Sequence, residues 1–297
     1  MPHDRLSTPA KLAAFAALLV VLFGAAALAG AAIGPETGDG RATAGHEEKP
    51  GAHGGGHEPS AAAVPVRGLA VAEGGLRLVV EDPQLRRGRT ERLAFRIVDD
   101  HGDTVRDFDV EHTKRMHLIV ARRDLTGFQH LHPEQAGDGT WTTRVRLGDA
   151  GSYRLFADFS YRGAARTLAT DLRVDGAAAL RPLAAPRSTA VSDGGYDVRL
   201  DAGAVRPGKE ANLRFTVTKD GAPVDTEPYL GAGGHLVALR DGDLAFLHVH
   251  PTEAGHGNAI GFGATFPTEG RYRLFLQFQT PDPPARVQTV AFTQVVR

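Results

Sequence analysis

The stretch Gly234–Pro251, GHLVALRDGDLAFLHVHP, has the pattern of a β-hairpin. Two apolar runs flank Asp241-Gly242, and Asp-Gly is among the strongest signals for a two-residue turn. With these two residues as the loop, His235 would lie directly opposite His248, with Cβ atoms about 5 Å apart. His250, two residues further along the strand, would lie on the same face. The hairpin therefore predicts three imidazoles at its open end.

The same pattern occurs earlier in the chain, as MHLIVARRDLTGFQHLHP in Met116–Pro133. His117, His130 and His132 repeat the spacing of the later three histidines, each 118 residues before its counterpart. Six of the 13 histidines in the chain fall in these two triads. Random placement would not give this repeated spacing, so the triads are the leading functional candidates.

The chain after residue 64 contains an internal duplication. GSYRLFADF at Gly151 matches GRYRLFLQF at Gly270 with an offset of 119 residues. Short alternating runs between Gly, Pro and Asp turns continue through both copies, without an amphipathic helix. About seven short strands in roughly 100 residues are typical of an Ig-like β-sandwich. The sequence therefore predicts an all-β protein with two tandem Ig-like domains, 64–177 and 190–297.

The predicted strands are short runs rich in β-branched and aromatic residues. In the first copy they are Leu76–Val80, Arg92–Val98, Met116–Ala121, Phe128–His132, Trp141–Leu147, Tyr153–Phe159 and Thr167–Val174. In the second copy they are Tyr196–Leu200, Asn212–Thr218, His235–Leu239, Ala245–His250, Ile260–Phe266, Tyr272–Phe278 and Val287–Val295. The proline-containing segment 176–189 is predicted to join the two copies.

Residues 1–33 predict a membrane-targeting segment. The uncharged apolar stretch Leu12–Ile33 follows Arg5 and Lys11 and, at 22 residues, is long enough to span a bilayer. The basic residues before it predict a cytoplasmic N-terminus, with the rest of the chain outside the cytoplasm. Ala27-Leu28-Ala29 leaves a cleaved signal peptide and a secreted protein as the alternative, although the length of the stretch favours an uncleaved anchor.

Residues 34–63 are rich in Gly, Ala, Pro and charge and have almost nothing to bury, which predicts a disordered linker. The linker contains His46, His53 and His57. Short histidine-bearing tracts can collect metal ions, so these residues are either accessory ligands or incidental parts of a solvated tether.

Composition excludes several kinds of site. The net charge is −1, so there is no basic field to indicate nucleic-acid binding. The absence of cysteine excludes disulfides, thiolate metal sites and cysteine nucleophiles. The chain has no serine nucleophile elbow, phosphate loop or His-Glu-x-x-His helix, and we therefore expect a protein that is not an enzyme.

Three imidazoles on one strand face are typical of a metal site. Neutral imidazole suits Cu(II), Zn and Ni, whereas Cu(I) prefers sulfur ligands, which are nearly absent here. Cu(II) has a higher affinity than Zn for most nitrogen sites, so we expect copper first and zinc second. One site is expected in each repeat, with ligands His117, His130 and His132 in the first and His235, His248 and His250 in the second.

A structural role for the triads is the alternative. Apolar residues occupy both faces of the second hairpin, with Val237 and Leu239 beside the triad and Leu236 opposite. On this interpretation the protein is an Ig-like interaction module that binds another membrane or cell-envelope protein.

Four polar residues near the triads are expected to lie in solvent. His101 lies in an Asp-His-Gly turn, and His112 lies in a charged loop. Asp158 and Gln277 occupy equivalent places in the two Tyr-Arg-Leu-Phe strands. Either of these two could be a fourth metal ligand, but a surface position is the favoured prediction.

The segments KRMHLIVARRDLTGFQHLHP, YRLFADF, EPYLGAGGHLVALRDGDLAFLHVHP and YRLFLQF resemble a group of bacterial membrane-anchored or secreted proteins, some described as heavy-metal-binding. More distantly, each repeat is similar to extracytoplasmic Ig-like domains of the YtkA/FixH kind and of copper-resistance proteins. The resemblance implies metal handling or resistance at the cell envelope. This chain departs from the copper-resistance domains in having a single methionine, Met116, beyond Met1.

Overall fold

Alternating apolar and polar residues organise the folded part of this chain into β-strands. A computed structural model describes residues 66–252, 257–281 and 285–297. For His248 and His250 it describes the backbone but not the side chain. The regular secondary structure in these ranges consists entirely of β-strands, as predicted. The predicted membrane segment 1–33 and the linker 34–63 lie outside the described residues. Within the described ranges, no helix is long and apolar enough to cross a membrane.

The strands of the first repeat are β1 Ala72–Glu73, β2 Leu76–Val80, β3 Gln84–Leu85, β4 Thr90–Val98, β5 His117–Arg122, β6 Gln129–Leu131, β7 Glu134–Gln135, β8 Trp141–Arg146, β9 Gly151–Tyr161 and β10 Ala164–Val174. Those of the second repeat are β11 Thr189–Val191, β12 Asp197–Asp201, β13 Glu210–Lys219, β14 Ala222–Pro223, β15 His235–Arg240, β16 Phe246–His248, β17 His250–Pro251, β18 Ala259–Thr265, β19 Gly270–Thr280 and β20 Arg286–Val296.

Each repeat folds into two packed sheets. The first repeat has the strand orders β1-β2-β4-β8-β7 and β3-β10-β9-β5-β6, and the second has β11-β12-β13-β18-β17 and β16-β15-β19-β20. Strand pairing is antiparallel except between β3 and β10. This arrangement confirms the prediction of two tandem Ig-like sandwiches.

Each sandwich has its own apolar core between its sheets. Leu118 and Val120 of β5 point into the first core, and Leu236 and Ala238 of β15 point into the second. Because side chains alternate along a strand, the residues between them point to the opposite face of each sheet. Those opposite faces are buried too.

A third apolar cluster joins the two repeats. Ile119 and Ala121 of β5 belong to it together with Val237 and Leu239 of β15, and all four are at most 5% exposed. The sheet that carries β5 therefore packs face to face on the sheet that carries β15. This packing explains why both strands are continuously apolar after their first histidine.

Two aromatic pairs show that the contact between the repeats is symmetric. Phe128 of the first repeat stacks on Phe275 of the second, with ring centroids 4.0 Å apart. Phe246 of the second repeat packs on Phe156 of the first at 5.6 Å. Phe128 is equivalent to Phe246, and Phe156 to Phe275, so the two halves contact each other as the subunits of a two-fold dimer would.

The two hairpins share one register, which differs from the predicted one. Val237 pairs with His248 in the second hairpin, and Ile119 pairs with His130 in the first. The prediction that His235 lies opposite His248 is therefore wrong. The register shift is two residues, which leaves side chains on their predicted faces.

The turn of the second hairpin explains the shift. The backbone N–H of Arg240 donates to the carbonyl oxygen of Ala245, so the loop contains four residues, 241–244, and not two. Leu244 adopts a positive φ of 61° and is fully buried in the cluster between the repeats. Burying this side chain favours the longer loop over the tight Asp-Gly turn.

His250 does not continue the strand of His248. It lies in β17 and pairs with Gly263 of β18, in the other sheet of the second repeat. The chain thus changes sheet after His248, and the predicted diagonal arrangement of the second triad on one hairpin face is wrong.

Candidate metal centre

The triad of the first repeat converges as predicted. His117 begins β5, His130 lies in β6 and His132 follows it directly. One ring nitrogen of each lies within 4.8 Å of the others. His117 is 7% exposed, and the other two are partly buried. These three residues could therefore hold a metal ion.

A glutamine of the second repeat orients His130. The Gln277 amide nitrogen donates to Thr289 Oγ1 at 3.3 Å, which turns the amide oxygen toward His130. This oxygen lies 2.8 Å from His130 Nδ1. Because an amide oxygen only accepts, the proton of His130 is on Nδ1 and Nε2 keeps a lone pair. Such fixing of the imidazole tautomer is typical of metal-binding histidines.

The lone pair of His130 faces another imidazole. His130 Nε2 lies 3.0 Å from His117 Nδ1, and His117 Nε2 lies 3.3 Å from the carbonyl oxygen of Glu111. A neutral imidazole has one ring proton, so His117 donates either to His130 or to Glu111, but not to both. One of these contacts therefore lacks a proton, and a cation between the two imidazoles would remove the conflict.

Two further ring nitrogens in the cluster lack partners. His132 Nε2 and His235 Nε2 are buried and have no hydrogen-bond partner among the described residues. The backbone of Leu230 bonds the imidazole of His235, which leaves its Nε2 as the unpartnered atom. Leaving a buried polar atom unsatisfied costs about 1–3 kcal/mol, and such an atom in a folded protein often indicates an ion or water site.

His235 belongs to the same cleft as the first triad. Its ring centroid lies 5.7 Å from that of His117 and 5.8 Å from that of His130. His235 therefore lies beside the first triad, and its predicted site with His248 and His250 stays a prediction. The symmetric packing of β5 against β15 is the cause, since it brings the equivalent first histidines of the two strands together.

His112 also reaches this cleft, so its predicted solvated position is wrong. It lies in the turn Glu111-His112-Thr113-Lys114, where both central residues have positive φ, 48° and 66°. Its ring centroid lies 5.2 Å from that of His235. The equivalent turn of the second repeat has Leu230-Gly231 at the centre, and this difference is the sequence signal that marks His112 as unusual.

Asp158 and Gln277 are buried, at 7% and 8% exposure, and the prediction of a surface position is wrong for both. Asp158 pairs across the sheet with His117, and Gln277 pairs with His235. Asp158 lines the cleft and accepts a hydrogen bond from Thr167 at 2.6 Å. The cleft therefore combines imidazoles from both repeats with a carboxylate from the first.

Burial keeps His130, His132 and His235 neutral. Desolvation, followed by the charges of neighbouring groups, lowers the pKa of His132 to about 4 and that of His235 to about 3. The same causes lower the pKa of His130 well below its usual value of 6.5. Metal ligation requires deprotonated imidazole, so the cluster has the form that binds an ion at neutral pH.

The remaining predicted residues are not in this cluster or cannot be assigned to it. His101 is a surface residue, with 81% of its side chain exposed, as predicted. His46, His53 and His57 lie outside the described residues, and for His248 and His250 the backbone positions alone are described.

The solved structures similar to this chain are distant from it. An Escherichia coli adhesin, FdeC, is 13% identical with a TM-score of 0.26, over 77% of this chain and 66% of the adhesin. Salmonella alpha-2-macroglobulin is 14% identical with a TM-score of 0.27, over 78% of this chain and 16% of that one. Domains 4 and 5 of the S-layer protein SbsC are 12% identical with a TM-score of 0.23, over 76% of this chain and 98% of that one. The chain spans less than two thirds of the first two proteins, and these similarities carry no functional argument.

No curated protein matches the chain. One family model matches twice, over residues 70–176 and 189–297, in agreement with the predicted tandem duplication. The resemblance to heavy-metal-binding and copper-resistance proteins stays a prediction. Because the two matches cover most of the sequence, the chain belongs to the family described as Domain of unknown function (DUF8832), of which it has two copies in tandem.

Proposed function

We propose that this protein binds a transition-metal ion, Cu(II) in the first place and Zn in the second, through His117, His130 and His132. The observation that carries the proposal is the 3.0 Å contact between His117 Nδ1 and His130 Nε2. If His117 is neutral, its single ring proton cannot serve this contact and the one to Glu111 together. An ion that accepts both lone pairs satisfies both rings.

The separation of these two nitrogens is short enough for one ion to bind both. Two nitrogen ligands at about 2.1 Å from an ion and at right angles lie about 3.0 Å apart, as His117 Nδ1 and His130 Nε2 do. The same ligands around tetrahedral Zn would lie about 3.3–3.4 Å apart. A separation of 3.0 Å is also that of an ordinary hydrogen bond and does not distinguish the two ions, so Cu(II) is placed first for its higher affinity for nitrogen ligands.

The proposed setting is the cell envelope. The predicted N-terminal membrane segment indicates domains outside the cytoplasm, either anchored in the membrane or secreted. There the protein would bind metal for handling or resistance, without catalysis, and would exchange it with another membrane or envelope protein. The sequence pattern also makes His248 and His250 candidate ligands of the second repeat.

A specific observation favours the alternative of an interaction module with structural histidines. The hydrogen bond of His130 to Gln277 connects the two repeats directly, at 2.8 Å. The imidazoles could therefore serve to join the sandwiches. In that case their substitution would destabilise the protein, but the chain would not bind metal at this site.

Calorimetric titration with Cu(II) and Zn tests the proposal. The chain used should be full length with His46, His53 and His57 changed to Ala, so that the linker cannot contribute. We expect tight Cu(II) binding, weaker Zn binding, and loss of one bound equivalent of each ion in the additional variant His117→Ala. A background chain that binds neither ion would contradict the proposal and leave the structural role.

A further inference from the structure

We propose that the metal cleft is completed by both repeats, with His235 and His112 joining the first triad, so that a bound ion links the two sandwiches. This inference rests on the proposed function and adds its ligand set and its mechanical consequence. Three features of the cleft carry it: an unpartnered imidazole, a strained turn and the position of both at the contact between the repeats.

The unpartnered imidazole is that of His235. The Leu230 backbone bonds one of its nitrogens, and the other, Nε2, is buried without a hydrogen-bond partner among the described residues. Its ring is close to those of His117 and His130, at 5.7 Å and 5.8 Å. The compact group of ring nitrogens within 4.8 Å contains only His117, His130 and His132, so His235 would join it by a small movement of its ring. A metal ion would then supply the missing partner of its buried Nε2.

The strained turn presents His112. Positive φ is uncommon for a residue other than Gly, and for β-branched Thr113 it is an outlier. Strained backbone of this kind concentrates at functional sites. The second repeat forms the same turn with Leu230 and Gly231, so the fold does not require His and Thr there. His112 and its equivalent Leu230 both have positive φ, and the extra conformational cost of the first repeat lies at Thr113, where the second repeat has Gly231.

The position of these ligands couples metal binding to the contact between the repeats. His112 and His117 belong to the first sandwich and His235 to the second. The cleft that they line also contains Asp158, whose negative charge favours a cation. Because all these groups converge only when the repeats are packed together, an ion that binds them stabilises the packed arrangement.

The test compares histidine variants in the full chain that lacks His46, His53 and His57. Cu(II) affinity is measured by calorimetry for His235→Ala, His112→Ala and, as a matched control, His101→Ala, which removes an exposed imidazole of the same repeat. We expect affinity to fall about tenfold or more in the first two variants and to stay unchanged in the third. His235→Gln decides the case if His235→Ala does not fold.

Hydrogen exchange gives a second readout on the parent chain. Cu(II) should slow exchange in β15 of the second repeat as well as in β5 of the first. Protection confined to β5 would overturn the shared site. Equal Cu(II) affinities of the His235 and His112 variants and the His101 control would overturn it too. Either result would leave metal binding by the triad intact. A parent chain that binds no Cu(II) would contradict the shared site and the proposed function together.

Discussion

The residue that pairs across the sheet with the first histidine of each hairpin differs between the repeats. In the first repeat Asp158 pairs with His117, and in the second Gln277 pairs with His235. The carboxylate adds charge to the cleft, whereas the amide hydrogen-bonds His130 and fixes its tautomer. The first repeat thus supplies most of the proposed ligands, and the second orients one of them, His130, through Gln277.

The apolar contacts between the repeats, in contrast, join equivalent residues in both directions, although the first ring pair is stacked at 4.0 Å and the second is tilted at 5.6 Å. Phe128 packs on Phe275 as Phe246 packs on Phe156. The duplicated module has thus kept its apolar face in both copies, while the polar residues around the cleft have diverged. Symmetric packing brings the histidines together, and asymmetric substitution gives them different roles.

The largest effect is expected from breaking the apolar contact. Phe275→Ala should destabilise the folded chain by about 3–5 kcal/mol, because it removes a buried aromatic ring from the cluster between the repeats. Phe246→Ala should cost a similar amount if the two halves are equivalent. Urea unfolding measures both, with exposed Val191→Ala as the control. A cost below about 1 kcal/mol for Phe275→Ala would contradict a packed interface.

Removing the orienting amide should weaken metal binding. Gln277→Leu leaves His130 Nδ1 without its acceptor, and loss of such a contact typically lowers metal affinity about 10- to 100-fold. Gln279→Leu in the same strand is the matched control, since Gln279 bonds Glu227 and not a histidine. Cu(II) calorimetry compares the two variants. Equal affinities would show that Gln277 does not orient a ligand.

Acid should destabilise the metal-free protein through these histidines. Their folded pKa values, about 4 for His132 and about 3 for His235, lie below the unfolded value of about 6.5. The unfolded chain therefore binds more protons than the folded chain below pH 6.5. As the pH drops toward 4, the free energy of unfolding falls by up to about 1.4 kcal/mol per pH unit for each of these histidines. His132→Ala should flatten this slope in urea titrations, and an unchanged slope would contradict the assignment.

The low pKa values of His132 and His235 also change the expected pH dependence of metal affinity. Ordinary imidazoles would lose affinity steeply between pH 7 and pH 5. In this cleft, protons compete with the ion at lower pH, so most of the loss should occur below pH 5. Calorimetry at pH 7, 5 and 4 measures this, and a steep loss already at pH 6 would show that the buried imidazoles are not the ligands.

The smallest effect concerns the turn that differs between the repeats. Thr113→Gly introduces the residue that the second repeat has at the equivalent place and removes the strain of φ 66°. We expect the free energy of unfolding to rise by about 1 kcal/mol without loss of metal binding. Gly102→Ala, at a φ of 90°, is an opposite control and should destabilise the chain. A destabilised Thr113→Gly variant would show that the turn is not strained.

Much of the fold could be predicted from periodicity alone. The predicted strand Leu76–Val80 has the observed bounds, and the predicted Tyr153–Phe159 lies within Gly151–Tyr161. These strands alternate in polarity or contain long apolar runs, and local pattern determines them. The tandem duplication, read from offsets of 118–120 residues, agrees with the two observed sandwiches.

The parts that could not be predicted depend on contacts between the repeats. The Asp241-Gly242 turn follows local preference, but burial of Leu244 in the shared cluster selects a four-residue loop. The apolar residues on both faces of β15 are visible in the sequence, but the sequence does not identify the sheet that covers the second face. For the same reason, the meeting of His235 with the first triad was not predictable from either hairpin alone.

The central claim is that His117, His130 and His132 bind a transition-metal ion at the contact between the repeats. Anomalous diffraction at the copper absorption edge, from crystals of the chain grown with Cu(II), tests it most directly. We expect a peak about 2.0–2.1 Å from His117 Nδ1 and His130 Nε2, with the His132 ring turned toward it. A map without a peak at these nitrogens, with the 3.0 Å contact between the two rings unchanged, would contradict it.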